Sequence, residues 1–196
     1  MKLLSTGNPK TLKGQSVGYM TYILHLAPAS LSGYNTCPKA TEGCNRTEFM
    51  ALLVKDILSA VKQAKRLGLK PVFRLNGTSD IAFEKYPVIR DGFEYNNIFA
   101  AFTELTFYDY TKILGRKVGQ HSNYSLTFSA ADGNDKDVDR ALFDGYNVAV
   151  VFGIKKTEPM PESYLGTPVF NGDESDLRFL DPKGVIIGLY AKGKAK

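Results

Sequence analysis

The amino-acid sequence predicts an α/β fold: a single domain over residues 1–196 with a mostly parallel sheet, either a partial (β/α) barrel or an open sheet. Two patterns lead to this prediction. β-Prone runs alternate with helical segments, and each such run ends in polar residues, as strands do when they deliver functional groups to the carboxyl end of a parallel sheet. About five or six such units are too few for a closed eight-unit barrel, so the barrel would be incomplete.

The N-terminal region is predicted to be an arm, a strand and a long loop. Residues 1–15 are rich in Gly, Lys, Thr and Asn, which favours an arm or loop. The β-prone run from Val17 to Leu26 predicts the first strand. Residues 30–45 contain Gly, Pro, Asn and both cysteines, and we expect them to form a loop at the carboxyl end of that strand.

A long amphipathic helix is predicted from Glu48 to Leu67. Its apolar residues recur with the 3.6-residue period of a helix over about five turns. Asn45 and Glu48 are a candidate capping pair at its start, and Gly68 supplies its stop. The apolar stripe consists of Phe49, Leu52, Leu53, Ile57, Ala60, Val61, Ala64 and Leu67.

The stretch Lys70–Asp80 is predicted to be a buried parallel strand that ends in a polar cluster. A short apolar run follows Gly68, and four of the last five residues of the stretch have side-chain hydrogen-bonding groups. Gly77 lets the backbone bend between them. This combination indicates a site at the carboxyl end of the strand.

The rest of the chain continues the alternation. Residues 81–103 are aromatic and interrupted by proline, with a helix predicted around Asn97–Thr103, and a second helix is predicted at Asp137–Asp144, stopped by Gly145. A linker with Pro159, Pro161 and Pro168 precedes the last strand. The further strands are predicted at Glu104–Tyr108, Asn123–Ser129, Tyr146–Phe152 and Val185–Tyr190.

Composition and charge exclude several classes of protein. The net charge of +5 and the pI near 9.1 suit an anionic ligand or nucleic acid. The density of lysine and arginine is, however, far below that of a DNA-coating protein. Part of the excess lies in a predicted basic tail, residues 191–196. No apolar run reaches the roughly 18 residues of a membrane-spanning helix, and the apolar run at the N-terminus ends too early for a secretory signal. We therefore expect no membrane partner and a cytoplasmic protein with reduced or ligating cysteines.

The polar residues that follow different strands are predicted to form one ligand-binding site. The carboxyl ends of parallel strands share a rim, so residues distant in sequence would converge there. The alternative is that these residues cap helices and shape turns. The candidate catalytic residues are Asp80, Asp109 and Lys112. The candidate ligand-binding residues are Arg74, Asn76, Thr78, Ser79, Asp80, Asp109, Lys112 and Ser129.

Arg74 lies inside an apolar strand run, two residues before Asn76 and on the same face. A charge in such a place must be paired or must reach a ligand. Asp80 and Asp109 are the natural partners for a structural ion pair, and binding of an anionic ligand is the equal alternative.

Cys37 and Cys44 are the candidate metal ligands. Two thiols do not complete a tetrahedral site, so zinc would require His25 and His121 as further ligands, and inert thiols are the alternative. A second candidate for a cation is the acidic turn of Asp173, Glu174 and Asp176, whose alternative is a turn-forming role with Asp173 or Asp176 paired to Arg178. No supported Ser-His-Asp triad and no Gly-rich phosphate loop is found.

Several motifs of the chain carry a resemblance to a known family. They are Thr36–Cys44, Arg74–Ile81, Phe107–Lys112, Asn123–Ser129, Asp176–Phe179 and the tail from Ala191. Over nearly its whole length the chain resembles the phage and plasmid "gene product 88" family. The resemblance implies a protein of a phage or mobile genetic element, located in the cytoplasm of the host cell.

The layout is similar, more distantly, to radical S-adenosylmethionine proteins, which place a cysteine cluster after the first barrel strand. On that resemblance Cys37 and Cys44 would be two of three ligands of an iron–sulfur cluster, and the third would stand where this chain has Glu48. A cluster that binds S-adenosylmethionine needs three protein thiolates. Either a segment with a third cysteine is missing between Cys44 and Thr47, or the cluster chemistry has been lost.

Three hypotheses of function follow. In the first, the chain is an enzyme or degenerate enzyme with a radical S-adenosylmethionine-like scaffold, whose rim binds a small anionic or nucleotide-like ligand. In the second, it is a nucleic-acid-binding accessory protein that uses Lys112, Arg116, Lys117 and the lysine tail. In the third, it is a module that binds a host protein, and the rim residues are structural.

Overall fold

The computed structural model describes residues 2–7, 9–26, 46–116, 119–131 and 133–192. These residues confirm the α/β class, as an open and mostly parallel sheet that does not close into a barrel. The chain divides into two compact units, residues 1–107 (unit 1) and 108–196 (unit 2). In the described residues the main sheet has nine strands in the order β1-β2-β3-β6-β7-β8-β11-β10-β9, and β4 and β5 form a separate hairpin.

In its described residues, unit 1 contains three α-helices and the first strands. Its helices are α1 Pro9–Gln15, α2 Arg46–Arg66 and α3 Ile98–Ala101. Its strands are β1 Leu4–Ser5, β2 Tyr19–Leu24, β3 Lys70–Arg74, β4 Val88–Arg90, β5 Phe93–Tyr95 and the beginning of β6 Thr106–Thr111.

The long helix predicted from residue 48 to residue 67 is confirmed as α2. Its buried face carries Met50, Leu53, Val54, Ile57, Ala60 and Ala64. Gly68 ends it in the left-handed region with φ +68°, and the Leu69 N–H donates to the Ala64 carbonyl at 3.0 Å. The candidate cap Asn45 lies outside the described residues.

The core of unit 1 is a parallel arrangement of β2, β3 and β6 covered by α2. Tyr19 of β2 is opposite Lys70 of β3, and Val72 is opposite Thr106. The rings of Tyr22 and Phe73 stack at 5.6 Å between centroids. The Tyr22 hydroxyl donates to the Ala60 carbonyl of α2 at 3.0 Å, and burial raises the pKa of this phenol to about 12.

The first 15 residues differ from the predicted arm, because they contain β1 and α1. Strand β1 pairs antiparallel with β2, and the Leu4 N–H donates to the Asp56 carboxylate at 3.1 Å. Before α1, the Gly7 N–H donates to the hydroxyl of buried Thr11 at 3.0 Å. A two-residue strand and a two-turn helix are too short to show a hydrophobic period. Long-range hydrogen bonds to Asp56 and to β2 fix β1 instead.

The segment 81–103, predicted to be irregular with one helix, also contains the β4–β5 hairpin. Asp91 and Gly92 form its turn with φ of 52° and 82°, which suits a two-residue hairpin turn. The predicted helix is present as α3. The Asn97 side chain caps it by accepting from the Ala100 N–H at 2.9 Å.

Unit 2 contains the rest of the parallel sheet. Three of its predicted strands are confirmed to within one residue at each end, and the predicted helix is confirmed as α4. The third predicted strand, β6, runs on to Thr111 instead of ending at Tyr108. The elements are β7 Tyr124–Ser129, α4 Asp135–Phe143, β8 Asn147–Phe152, β9 Ser163–Tyr164, β10 Thr167–Asn171 and β11 Ile186–Tyr190.

The core of unit 2 lies between α4 and one face of the sheet. Strand β8 pairs in parallel with β7 and β11, and β10 pairs in parallel with β11. Val138 and Ala141 of α4 pack on a cluster from these strands. That cluster contains Leu126, Phe128, Tyr146, Val148, Val150 and Ile186.

Candidate functional site

The polar cluster after β3 folds into a closed loop, here called the Asn76 loop (residues 75–81). Asn76 is 3% exposed. Its carbonyl oxygen accepts from the Ile81 N–H at 2.8 Å and from the Ser79 hydroxyl at 2.9 Å, and its amide donates to the Ile81 carbonyl at 3.0 Å. One side chain therefore replaces the backbone pairing that the loop lacks.

The Asn76 loop is also tied to the carboxyl end of β2. The Gly77 N–H donates to the Leu24 carbonyl at 3.0 Å. The Thr78 hydroxyl donates to the Leu26 carbonyl at 2.8 Å and accepts from the Leu26 N–H at 2.9 Å. A Cβ atom at position 77 would lie 2.5 Å from Ile23 Cγ2 and 2.7 Å from the Leu24 oxygen, so only glycine permits this approach.

The hydrogen bonds within the loop distinguish two groups of residues at this edge of unit 1. Asn76 and Thr78 shape the loop, as the turn-forming alternative predicts. Arg74, which ends β3, and Asp80 are partly exposed, and Ser79 is partly exposed while its hydroxyl donates within the loop. The arrangement holds a guanidinium and a carboxylate on a fixed backbone at the carboxyl ends of β2 and β3. Ligand binding by these residues remains a prediction.

In unit 2 the predicted residue Asp109 lies within β6, not after it, and is fully buried. It belongs to a polar network with Arg116 and Tyr124. The Tyr124 hydroxyl donates to Asp109 Oδ2 at 3.3 Å, and Arg116 Nη2 donates to the Tyr124 oxygen at 3.0 Å. The Tyr146 hydroxyl donates to the Arg116 carbonyl.

The chemistry of this network follows from its burial. A buried carboxylate and a buried guanidinium each need a partner of opposite charge or a hydrogen bond. A phenol can donate to the first and accept from the second, which is the bridge that Tyr124 forms. Arg116 is 7% exposed, so it is not displayed to a phosphate backbone as the nucleic-acid hypothesis required.

The other predicted residues of unit 2 are more exposed than the buried network. Lys112 is exposed after β6, and Ser129 ends β7 opposite Ala149, partly exposed. Lys117 and residues 193–196 lie outside the described residues. Sequence reasoning did not identify Tyr124 and Tyr146, because a tyrosine at the start of an apolar run gives no signal that distinguishes a network from a core.

The acidic turn makes contacts of the kind that the turn-forming alternative predicts, and two ion pairs lie in and beside it. Asp173 pairs with Lys192 and accepts from the Tyr190 N–H at 2.8 Å, while Arg178 pairs with Asp181 at 3.2 Å. Burial of Asp173 acts to raise the pKa of its carboxyl, but the Lys192 ammonium and the Tyr190 N–H outweigh it, so the pKa is lowered.

The described part of the chain contains neither a cluster of side chains that could hold a metal ion nor a helix that could cross a membrane. There, no group of three or more His, Cys, Asp and Glu side chains is arranged to hold a metal ion. Cys37 and Cys44 fall within residues 27–45, outside the described ranges. None of the described helices has both the length and the apolar character required to cross a membrane.

The chain matches the model of a known protein family. A family model described as Gene product 88 matches residues 45–196, which is more than half of the chain. Neither the curated proteins nor the solved structures contain a match.

Proposed function

The chain belongs to the gene product 88 family, and from this premise we propose that it is a ligand-binding protein of a phage or mobile genetic element. Family membership is consistent with such an origin. We place the ligand at the carboxyl ends of β2 and β3, and expect it to be small and anionic or nucleotide-like. The observation that supports this most strongly is the Asn76 loop, which is fixed to β2 by its own side chains and by the close approach of Gly77.

Two physical arguments connect the loop with a ligand. Open α/β sheets bind ligands outside the carboxyl ends of their strands. A loop that is already fixed loses little conformational entropy when it binds, so it retains more of the interaction free energy. The planar guanidinium of Arg74 suits a phosphate or carboxylate, and the Asp80 carboxylate suits a ribose hydroxyl.

The radical S-adenosylmethionine resemblance enters the proposal only as a scaffold. The chain has two cysteines, and a cluster that leaves one iron for the cofactor needs three thiolates. The donor set does not fit, so we assign no cluster chemistry. Asp80 is the catalytic candidate that the proposed site retains, since Asp109 is buried and bonded to Tyr124.

Thermal unfolding of the full chain with adenosine monophosphate or inorganic pyrophosphate tests the proposal. Ligand at 100 times its Kd stabilises a protein by about 2.7 kcal/mol, which for this size raises Tm by about 5–10 °C. Arg74→Met and Asp80→Asn are expected to lose most of this shift. Lys85→Met, which removes an equal charge from an exposed position of unit 1, is expected to retain it.

Two outcomes would overturn the proposal. One is the absence of any Tm shift with either probe at millimolar concentration. The other is an equal loss in Arg74→Met and Lys85→Met, because the effect would then report overall charge and not a site. Circular dichroism of each variant without ligand establishes that it is folded.

A further inference from the structure

Two long stretches of the chain contain no acidic residue. The first acidic residue is Glu42, and none lies between Asp56 and Asp80. Both stretches contain lysine or arginine, so they are basic wherever they are exposed. In a chain whose net charge is only +5, this uneven distribution places positive charge in particular segments.

Unit 1 brings the two stretches side by side at the amino ends of its parallel strands. The turn that leads from α1 into β2 adjoins the turn that leads from α2 into β3. The Lys70 N–H donates to the Gly18 carbonyl at 2.9 Å, and Lys70 is opposite Tyr19 in the sheet. This edge is opposite to the one that carries the Asn76 loop.

The exposed side chains at this edge form what we call the amino-edge surface: Lys13, Val17, Lys65, Arg66, Leu67 and Lys70. Lys13 lies in the last turn of α1, and Lys65 and Arg66 lie in the last turn of α2. Two aliphatic side chains stand among the cations, with Val17 60% exposed and Leu67 59% exposed. No described carboxylate pairs with Lys65, Arg66 or Lys70.

Stabilisation of helix ends accounts for only part of this charge. Cations in a last turn interact favourably with the helix dipole, whose C-terminal end is equivalent to about −0.5 charge. Two such ends offset about one unit of charge, whereas Lys65, Arg66 and Lys70 alone carry three positive charges. The remainder, and the two exposed aliphatic side chains, have no role in ending a helix.

We propose that the amino-edge surface binds nucleic acid, with its cations on phosphates and with Val17 and Leu67 against bases or sugars. Phosphate contacts by lysine and arginine supply most of the affinity in such complexes. A membrane surface would require a broader apolar face than two side chains, commonly with Trp, Phe or Leu, and this surface includes neither Trp nor Phe. The surface differs from the cluster predicted from sequence around Arg116, which is buried.

Fluorescence anisotropy of the full chain with labelled single-stranded and duplex DNA, measured over a range of salt concentrations, tests this inference. The triple variant Lys65→Gln, Arg66→Gln, Lys70→Gln is expected to bind at least about tenfold more weakly at low salt. Its slope of log K against log salt should fall by about 2 to 3, since each lost phosphate contact removes about 0.7–0.9. Val17→Ser with Leu67→Ser should weaken binding without changing the slope.

A triple variant in unit 2 serves as the control. Lys155→Gln, Lys156→Gln, Lys183→Gln removes the same charge from exposed positions and is expected to retain wild-type affinity and slope. Equal losses in both triple variants, no binding by the wild type at low salt, or binding to phosphatidylserine vesicles but not to DNA would overturn the inference. The Tm shift with adenosine monophosphate, which reports the carboxyl-edge site, should survive the unit 1 triple variant, so the two proposals fail separately.

Discussion

Arg178 and Asp181 form an ion pair that is almost completely buried. Their side chains are 0% and 3% exposed, and Nη1 lies 3.2 Å from Oδ2. Arg178 also donates to the Gly172 carbonyl at 3.1 Å. Burial raises the pKa of Asp181 to about 6, because desolvation outweighs the lowering by Arg178, and Asp176 adds to the rise.

The raised pKa predicts a pH dependence of stability. In the unfolded chain an Asp carboxyl has a pKa near 3.9, so between about pH 4 and pH 6 the folded protein holds a proton that the unfolded chain has lost. The unfolding free energy should therefore fall as the pH rises through this window, by on the order of 3 kcal/mol. Urea unfolding at several pH values measures this fall.

Two variants test whether Asp181 causes this pH dependence. Asp181→Asn should abolish the fall, and Asp139→Asn, which changes an exposed carboxyl of α4, should preserve it. A fall of unchanged size in Asp181→Asn would show that another group titrates.

Gly77 is predicted to be the residue of the Asn76 loop that is most sensitive to substitution. In Gly77→Ala the new methyl group would meet Ile23 and the Leu24 carbonyl at 2.5–2.7 Å, and a backbone oxygen cannot turn aside. We expect a loss of about 2–4 kcal/mol in unfolding free energy, as in overpacked sites. Gly153→Ala, whose methyl group meets no described atom within 4 Å, should stay within about 0.5 kcal/mol, and equal effects would refute the steric argument.

At the scale of elements, contacts of Arg90 connect the β4–β5 hairpin with the end of α3. Its guanidinium lies 4.2 Å from the centroid of the Phe102 ring and pairs with Glu104 at 2.8 Å. It also donates to the Ala101 carbonyl at the end of α3. A two-stranded hairpin is marginal by itself, so these contacts should determine how often it opens.

We predict that Arg90→Ala speeds amide hydrogen exchange across residues 88–95 and costs about 2–3 kcal/mol in unfolding free energy. Hydrogen-exchange mass spectrometry locates the change. Arg140→Ala removes a surface ion pair with Asp144 and should cost less than about 1 kcal/mol. If exchange in the hairpin does not change, Phe102 and Glu104 do not hold it through Arg90.

The sequence predicted the elements that have a strong hydrophobic period or a long apolar run. Helix α2 has a full apolar stripe, and β8 and β11 are continuous apolar runs. The end of β6 was misplaced, because Asp109 and Thr111 are polar and only their partners in the folded sheet keep them within the strand. The hairpin has a local signal in Asp91-Gly92, a dipeptide typical of two-residue turns.

At the scale of the whole molecule, the two ends of the parallel strands of unit 1 carry surfaces of different charge. The carboxyl ends hold the fixed loop with Arg74 and Asp80, and the amino ends hold the basic surface. A phosphate polymer at the proposed amino-edge surface and a small ligand at the proposed carboxyl-edge site would therefore not compete. Each unit offers its own polar features, since the Asp109 network lies in unit 2.

The candidate site could be predicted only in part. The motif after β3 was found because its polar residues are adjacent in sequence, so no knowledge of the fold was needed. The bond between Tyr124 and Asp109 spans 15 positions, and it depends on which strands are neighbours. The amino-edge surface also depends on strand pairing, because its cations come from two stretches that the parallel register of β2 and β3 brings together.

The shortest strands have a consequence for behaviour at high concentration. Strand β1 and strand β9 have two residues each, both pair antiparallel with a longer neighbour, and β10 begins with Thr167-Pro168 beside β9. Proline cannot donate to a ladder, and a two-residue strand is a poor template for another chain. In the described sheet both terminal strands are therefore ill suited to pairing with strands of another copy, which disfavours fibril growth through them even though the interior strands are rich in valine and isoleucine.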